Sequence, residues 1–474
     1  MNGFKALLKD NSKFRISYLV VLFFCNIAFV QIPAYICLVF LFFWGVYVAY
    51  NNIRYNHCLE RLRFGLWILA FLGVNFLTML INISTSFVYN LIMFLHISIC
   101  FFVFYGIHTE QNFNSKSELC TMCKFIIYAT SILGIIGFIF MMCGVKFEIW
   151  WIKFIIYENR YTGVYINPNI LGFISVVSIV CCHIITRHDF LAQANQKRIS
   201  RIAIAVCLCV DLFSLLLCDS NASLVLCICY VVVMVVFNFF SMSASMSKKQ
   251  MLLKALAVFF AALYIAGAVL FTRMICQRGF SHLLSSKPVT TTTAENIASA
   301  GEDIVTFSHT NKNIDSGRIK LIRESVKLFK ISPVFGISNG NIILYSQEYL
   351  DGTMSLSYHN NDLHNGYLTI LVSTGVVGFC IFAVFGLRFA KHIASNLFKR
   401  QNAHSQDILP CLFAFCCAYL VYSLFEKALL YDISFMVMWF WYMIGVTGVY
   451  LNKYEPLIES QYMLYRNRLP RHMI

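Results

Sequence analysis

The sequence predicts an all-α, polytopic integral membrane protein of about twelve transmembrane helices, with one long extracytoplasmic loop that contains an amphipathic helix. Three observations carry that class. Hydrophobic residues fill 59% of the 474 positions and charged ones only 12%, and the mean hydropathy is +0.70, far above a soluble average. Apolar runs of about 17 to 22 residues, long enough to cross a bilayer as helices, recur along the whole length. The net charge of +15 sits in short loops between those runs, a pattern that orients a membrane protein and argues against nucleic acid as partner.

Taken in order, hydropathy places spans near 16–33, 34–50, 65–81, 88–107, 123–143 and 170–186. The later ones fall near 202–218, 223–240, 253–272, 367–390, 409–425 and 431–451. The first two meet at a turn so tight, Gln31-Ile32-Pro33, that they also read as one hairpin. Residues 1–474 are expected to form a single membrane domain. Lys5, Lys9, Lys13 and Arg15 lead into a first apolar run with no small-residue cleavage site, which reads as a retained anchor. Arginine and lysine concentrate in alternate loops, for example Arg54, Arg61 and Arg63, then Arg187, Lys197, Arg198 and Arg201. By the positive-inside rule both termini are expected in the cytoplasm and the long segment 273–366 outside.

Nineteen cysteines are present, most of them inside apolar runs where the thiol behaves as a small hydrophobe, so no disulfide framework is expected. Cys120 and Cys123 lack a second pair or a histidine at zinc spacing, and no metal or other cofactor is expected.

The outer segment divides in two. Its first part, 285–316, is rich in Ser, Thr, Ala and Asn and reads as a poorly ordered loop. Its second part, 318–330, follows Asp315-Ser316, a pair suited to capping a helix, and ends before Pro333. Ile319, Ile322, Val326 and Phe329 make one stripe, and Lys320, Arg323, Lys327 and Lys330 another. Such a helix suits a membrane surface with anionic headgroups, or it packs on the bundle and leaves a solvated basic face.

Three polar clusters share the outer side. The first is Arg160-Tyr161-Thr162-Gly163 running to Asn167-Pro168-Asn169, where Pro168 lets a helix begin. The second is Ser316-Gly317-Arg318, with Pro333 and Gly336 to Gly340 downstream. The third, in 358–379, crowds His359, Asn360, Asn361, Asp362, His364 and Asn365 before an apolar helix. From His364 the spacing to Leu368, Leu371, Gly375 and Gly378 is helical, which singles out His364 over His359. Read residue by residue, Arg160 is either a functional cation or a headgroup anchor, and Asn167 and Asn169 are either supporting side chains or caps of the sixth span. Gly375 and Gly378 are expected to permit close helix packing, and Tyr161 and Tyr165 suit an interfacial aromatic belt.

The ordered set RxxGxxxNPN, then SGR leading into PxxGxxxG, then HNxxLxxLxxxGxxG, resembles the O-antigen ligase and O-antigen polymerase superfamily of bacterial surface-polysaccharide enzymes. The similarity covers roughly 155–390. It implies transfer of a glycan from undecaprenyl diphosphate to a sugar hydroxyl at the outer face of the bacterial cytoplasmic membrane, without metal. The acceptor it implies is a lipid-linked repeat, a lipid A core or a wall component. It implies His364 acting on the acceptor hydroxyl and Arg160 and Arg318 holding the donor diphosphate, with Asn365, His359, Asn167 and Asn169 in support. Two positions depart from the pattern: Ser373 stands where an acidic residue is frequent, and Ser220-Asn221 where a Ser-Arg pair is frequent. The competing class is a flippase or transporter of the same lipid-linked oligosaccharide without chemistry. A transporter would carry ionisable residues at mid-span, whereas Asp211 is nearly alone there and the polar clusters gather on one side.

Overall fold

The computed structural model describes residues 8–110, 115–144, 148–149, 152–157, 159–187, 194–241, 248–285, 318–350, 363–398 and 408–468. Fourteen helices longer than one turn are described. They are α1 Asn11–Phe24, α2 Gln31–Arg54, α3 Gly65–Ile81, α4 Phe87–Ile99, α5 Ser115–Met142, α6 Pro168–Arg187 and α7 Ala194–Leu217. After them come α8 Asn221–Ser241, α9 Lys248–Ser285, α10 Arg318–Ile331, α11 Ile342–Tyr349, α12 Gly366–Phe398, α13 Leu409–Tyr422 and α14 Phe435–Arg468.

Eleven of the twelve hydropathy spans each overlap one of these helices; 16–33 instead runs past the end of α1 at Phe24 and into α2, so the first turn lies near 25–30 and Gln31-Ile32-Pro33 opens α2. Among the described residues, eight helical stretches are both long and apolar enough to cross a membrane. α3 and α13 are apolar but shorter. α1 has 14 residues, and α7 opens on Lys197, Arg198 and Arg201. The architecture is all-α and polytopic, with two small additions that hydropathy does not foresee. Antiparallel ribbons Glu148–Ile149 with Ile152–Lys153 (β1, β2) and Ile155–Tyr157 with Arg160–Gly163 (β3, β4) lie before α6.

The helices differ in what they face. α14 is almost wholly buried along its apolar stretch and anchors an aromatic core: Phe440 stacks on Tyr419 at 4.2 Å, and Trp441 meets Phe101 edge-on at 4.9 Å. α9 is the opposite extreme, with Phe260 and Tyr264 exposed, as befits a helix turned toward lipid. It also runs to Ser285, beyond the span predicted for it. At one end of the bundle, buried Arg15 on α1 donates to the carboxylates of Glu110 and Glu118, joining α1 to the segments that leave α4 and open α5.

The opposite end gathers the polar clusters, and α12 is built unusually there. At Gly375 the backbone turns to φ 65°, ψ −171°, a conformation essentially confined to glycine, and the helical ladder breaks. The segment 332–338 fills the break. Val376 and Val377 donate to the carbonyls of Pro333 and Val334, while Ile337 and Ser338 donate to those of Val372 and Ser373. Groups freed inside an apolar helix are thereby re-satisfied by another stretch of chain, as a membrane requires. A Cβ on Gly375 would lie 2.2 Å from the Val334 carbonyl oxygen, so its role is this close approach and not general helix packing.

α10 follows the second of the two readings in packing on the bundle by one face. Leu321, Ser325 and Leu328 are buried against the body, but Ile319, Ile322 and Val326 remain exposed beside Lys320, Arg323 and Lys327. Tyr161 and Tyr165, placed by sequence at an interfacial belt, are instead fully buried, Tyr161 stacked on Phe138. The 285–316 loop lies outside the described residues except at Ser285, as do Ser316 and Gly317, and His359 with Asn360, Asn361 and Asp362.

Candidate functional site

His364 stands two residues before α12, in the left-handed region at φ 47°. Asn365 caps the helix, its Oδ1 accepting from the Tyr367 and Leu368 amides at 3.0 Å each. The same residue reaches outward, donating Nδ2 to the Leu424 carbonyl at 2.9 Å, and the Gly366 amide donates to the Ser423 carbonyl at 2.8 Å. These bonds fasten the turn after α13 to the start of α12. Glu426 is thereby carried to His364, with Oε2 3.4 Å from Nδ1. Its other oxygen, Oε1, lies 3.7 Å from Arg318 Nη2. The Arg318 guanidinium also rests over the Phe425 ring at 5.5 Å. A histidine, a buried carboxylate and an arginine from three distant stretches thus meet.

A second cluster forms where β4, α6, α7, α8 and α9 converge. Arg160 is buried and uses its fork twice, Nε donating to the Cys218 carbonyl at 2.9 Å and Nη2 to Asn169 Oδ1 at 2.7 Å. Asn167 Oδ1 accepts from the Asn169 amide at 2.8 Å, a local turn that opens α6. Arg273 pairs with Asp219 and donates to Asn221 Oδ1 at 2.9 Å, while Gln277 donates to Asp219 at 3.0 Å. The Arg160 and Arg273 charges act on one another. Two arginines therefore stand together, held by neutral acceptors and one carboxylate.

The two clusters are adjacent through rigid contacts. Phe173, one turn along α6 from Asn169, packs on Tyr422 at the end of α13 with ring centroids 5.3 Å apart. Tyr422 in turn precedes the Ser423–Glu426 turn that carries the carboxylate to His364.

Residues 190–383 match the family model described as O-antigen ligase. Over that stretch, which is under half of its length, the chain is similar to the O-antigen ligases. The matched stretch includes Asp219, Asn221, Arg273, Arg318 and His364, and it leaves Arg160, Asn169 and Glu426 outside. A comparison with curated proteins finds no match. Together with the apolar helices, the O-antigen ligase match supports a bacterial inner-membrane protein whose substrates are lipid-linked glycans and whose chemistry is glycan transfer of the ligase or polymerase type.

Of the residues singled out from the sequence, His364, Asn365 and Arg318 come together, and Arg160, Asn167 and Asn169 come together beside them. Sequence reasoning missed Glu426, Arg273, Asp219 and Gln277. Glu426 had a usable signal, being an acidic residue in a short turn between two apolar runs. Arg273 had no such signal: it donates to Asn221 from α9, a contact that only the fold brings about.

Proposed function

We propose that this protein transfers a glycan from undecaprenyl diphosphate to a sugar hydroxyl at the outer face of the cytoplasmic membrane, as a surface-polysaccharide ligase or a repeat-unit polymerase. The observation that carries the reading is the His364–Glu426–Arg318 constellation beside the paired arginines 160 and 273. In this reading both termini are cytoplasmic, about twelve helices cross the membrane, and the site end of the bundle faces outward.

The chemistry follows from the side chains. The Glu426 carboxylate orients His364 through Nδ1, which directs Nε2 to the acceptor hydroxyl. As the acceptor oxygen bonds to the anomeric carbon, its proton passes to Nε2 and the bond from that carbon to the diphosphate oxygen breaks. Negative charge grows on the leaving diphosphate, and Arg160, Arg273 and Arg318 stabilise it with fixed guanidinium groups. The imidazolium returns its proton to solvent or to the departing diphosphate. No step in this scheme calls on a metal.

The test is incubation of purified protein with a lipid-diphosphate-linked oligosaccharide and a hydroxyl acceptor. Free undecaprenyl diphosphate should appear in step with elongated or transferred glycan, and His364→Ala should abolish both while the protein still inserts. Lipid-linked substrate that crosses the bilayer unconsumed would refute the transfer.

A further inference from the structure

α10 meets the body of the protein with one face only. Leu321, Glu324, Ser325 and Leu328 are buried on that face, as the 3.6-residue turn of a helix allows. The rest of its surface divides in two. Ile319, Ile322 and Val326 form an apolar stripe, 58%, 46% and 43% exposed. Lys320, Arg323, Lys327 and Lys330 form a basic stripe beside it, and all four are exposed. Water suits the basic stripe but not the apolar one, since three aliphatic side chains in register cost free energy when wet.

The chain that leaves α10 shows what lies beside that stripe. Pro333 and Val334 are exposed as well, and their carbonyls accept from the amides of Val376 and Val377 on α12. Val376 is itself 44% exposed, on a helix long and apolar enough to cross a membrane, where an exposed apolar side chain meets lipid. It stands ten residues past the start of α12, roughly 15 Å at the rise of a helix, so α10 ends beside the bundle and not above it.

Charge selects the lipid. α10 has five basic residues and a single carboxylate, Glu324, which is buried and pairs with Lys327 at 3.3 Å. Arg318 turns to Glu426 in the candidate site, which leaves Lys320, Arg323 and Lys330 without a carboxylate partner among the described residues. A cationic stripe flanking an apolar one is the pattern of a helix in a bilayer interface, with the apolar side at the acyl boundary and the cations among phosphates. From these observations we infer that the face of α10 turned away from the bundle docks on the anionic phospholipid headgroups around the protein. The docking steadies the helix whose first residue is Arg318, and with it the guanidinium 3.7 Å from Glu426. It is independent of the proposed transfer and needs no turnover.

The test uses the full-length protein in vesicles of phosphatidylcholine, alone or mixed with an equal amount of phosphatidylglycerol, with Ile322 replaced by a genetically encoded fluorescent amino acid. Quenching is read from a lipid carrying a nitroxide high on its acyl chain and from acrylamide in the water. The lipid nitroxide should quench about threefold more in the mixed vesicles than in phosphatidylcholine, with acrylamide quenching falling in step. Combining Lys320→Gln, Arg323→Gln and Lys330→Gln should abolish that difference and leave the melting temperature in place, since none of the three forms an ion pair with a described residue. Quenching by acrylamide and not by lipid in both vesicles would overturn the docking. Protection from both quenchers would overturn it too, placing the chain's own 286–317 segment or a second copy on this face. Lipid quenching that ignores both phosphatidylglycerol and the three substitutions would overturn the selection of anionic headgroups.

Discussion

Glu426 approaches His364 from sixty-two positions away, its Oε2 3.4 Å from the histidine Nδ1, because two bonds pin the turn after α13 to the first turn of α12. In the proposed transfer, the pair makes a histidine at a helix mouth into an oriented base.

His364→Ala should therefore lower kcat by about 10² to 10⁴, the range removed with a general base. Glu426→Gln keeps the shape but not the charge, and should lower kcat roughly tenfold or more with little change in KM. Steady-state release of lipid diphosphate measures both. A Glu426→Gln enzyme with unaltered kcat would separate the carboxylate from the chemistry.

Arg160→Lys cannot serve both the Cys218 carbonyl and Asn169, and Arg318→Lys loses the planar contact with Phe425. Each should reduce kcat/KM for the lipid-linked donor by roughly tenfold or more. Arg273→Lys should act in the same direction. Full activity in both the Arg160 and Arg318 variants would refute their diphosphate role.

Gly375→Ala and Gly336→Ala should destabilise the fold by about 2 kcal/mol or more. Both glycines have positive φ, and a Cβ on Gly336 would sit 2.4 Å from the Ser373 carbonyl carbon. Thermal unfolding in detergent reads the effect. A variant at Gly378, where the added carbon meets only the side chain of Thr374, should be milder.

Arg15→Met should cost about 3–5 kcal/mol, because it leaves the Glu110 and Glu118 carboxylates facing one another without their cation. Folded yield and melting temperature would fall together. Specific activity per folded molecule should remain, since this cluster lies at the other end of the bundle.

Much of the fold was legible because a bilayer imposes a simple rule, that an apolar run of sufficient length becomes a helix. The limits are equally physical. The break at Gly375 interrupts a run whose hydropathy is smooth, and only the backbone of 332–338 reveals it. His364 and Arg318 stood out as polar residues at helix mouths. Their link through Glu426, and that of Arg273 with Asn221, depend on tertiary packing across fifty or more positions. The buried stack of Tyr161 on Phe138 was hidden for another reason, since an aromatic near a span end has the same composition whether it faces lipid or core.

The four main-chain bonds between 332–338 and α12 make the segment that joins α9 to α12 a structural member of the membrane body. Pulling it away would leave two amides and two carbonyls bare in an oily surrounding. A cut of the chain between Ser285 and Arg318 should therefore leave a single particle, with the fragment that starts before the cut and the fragment that carries α10 migrating together until detergent or heat unfolds both.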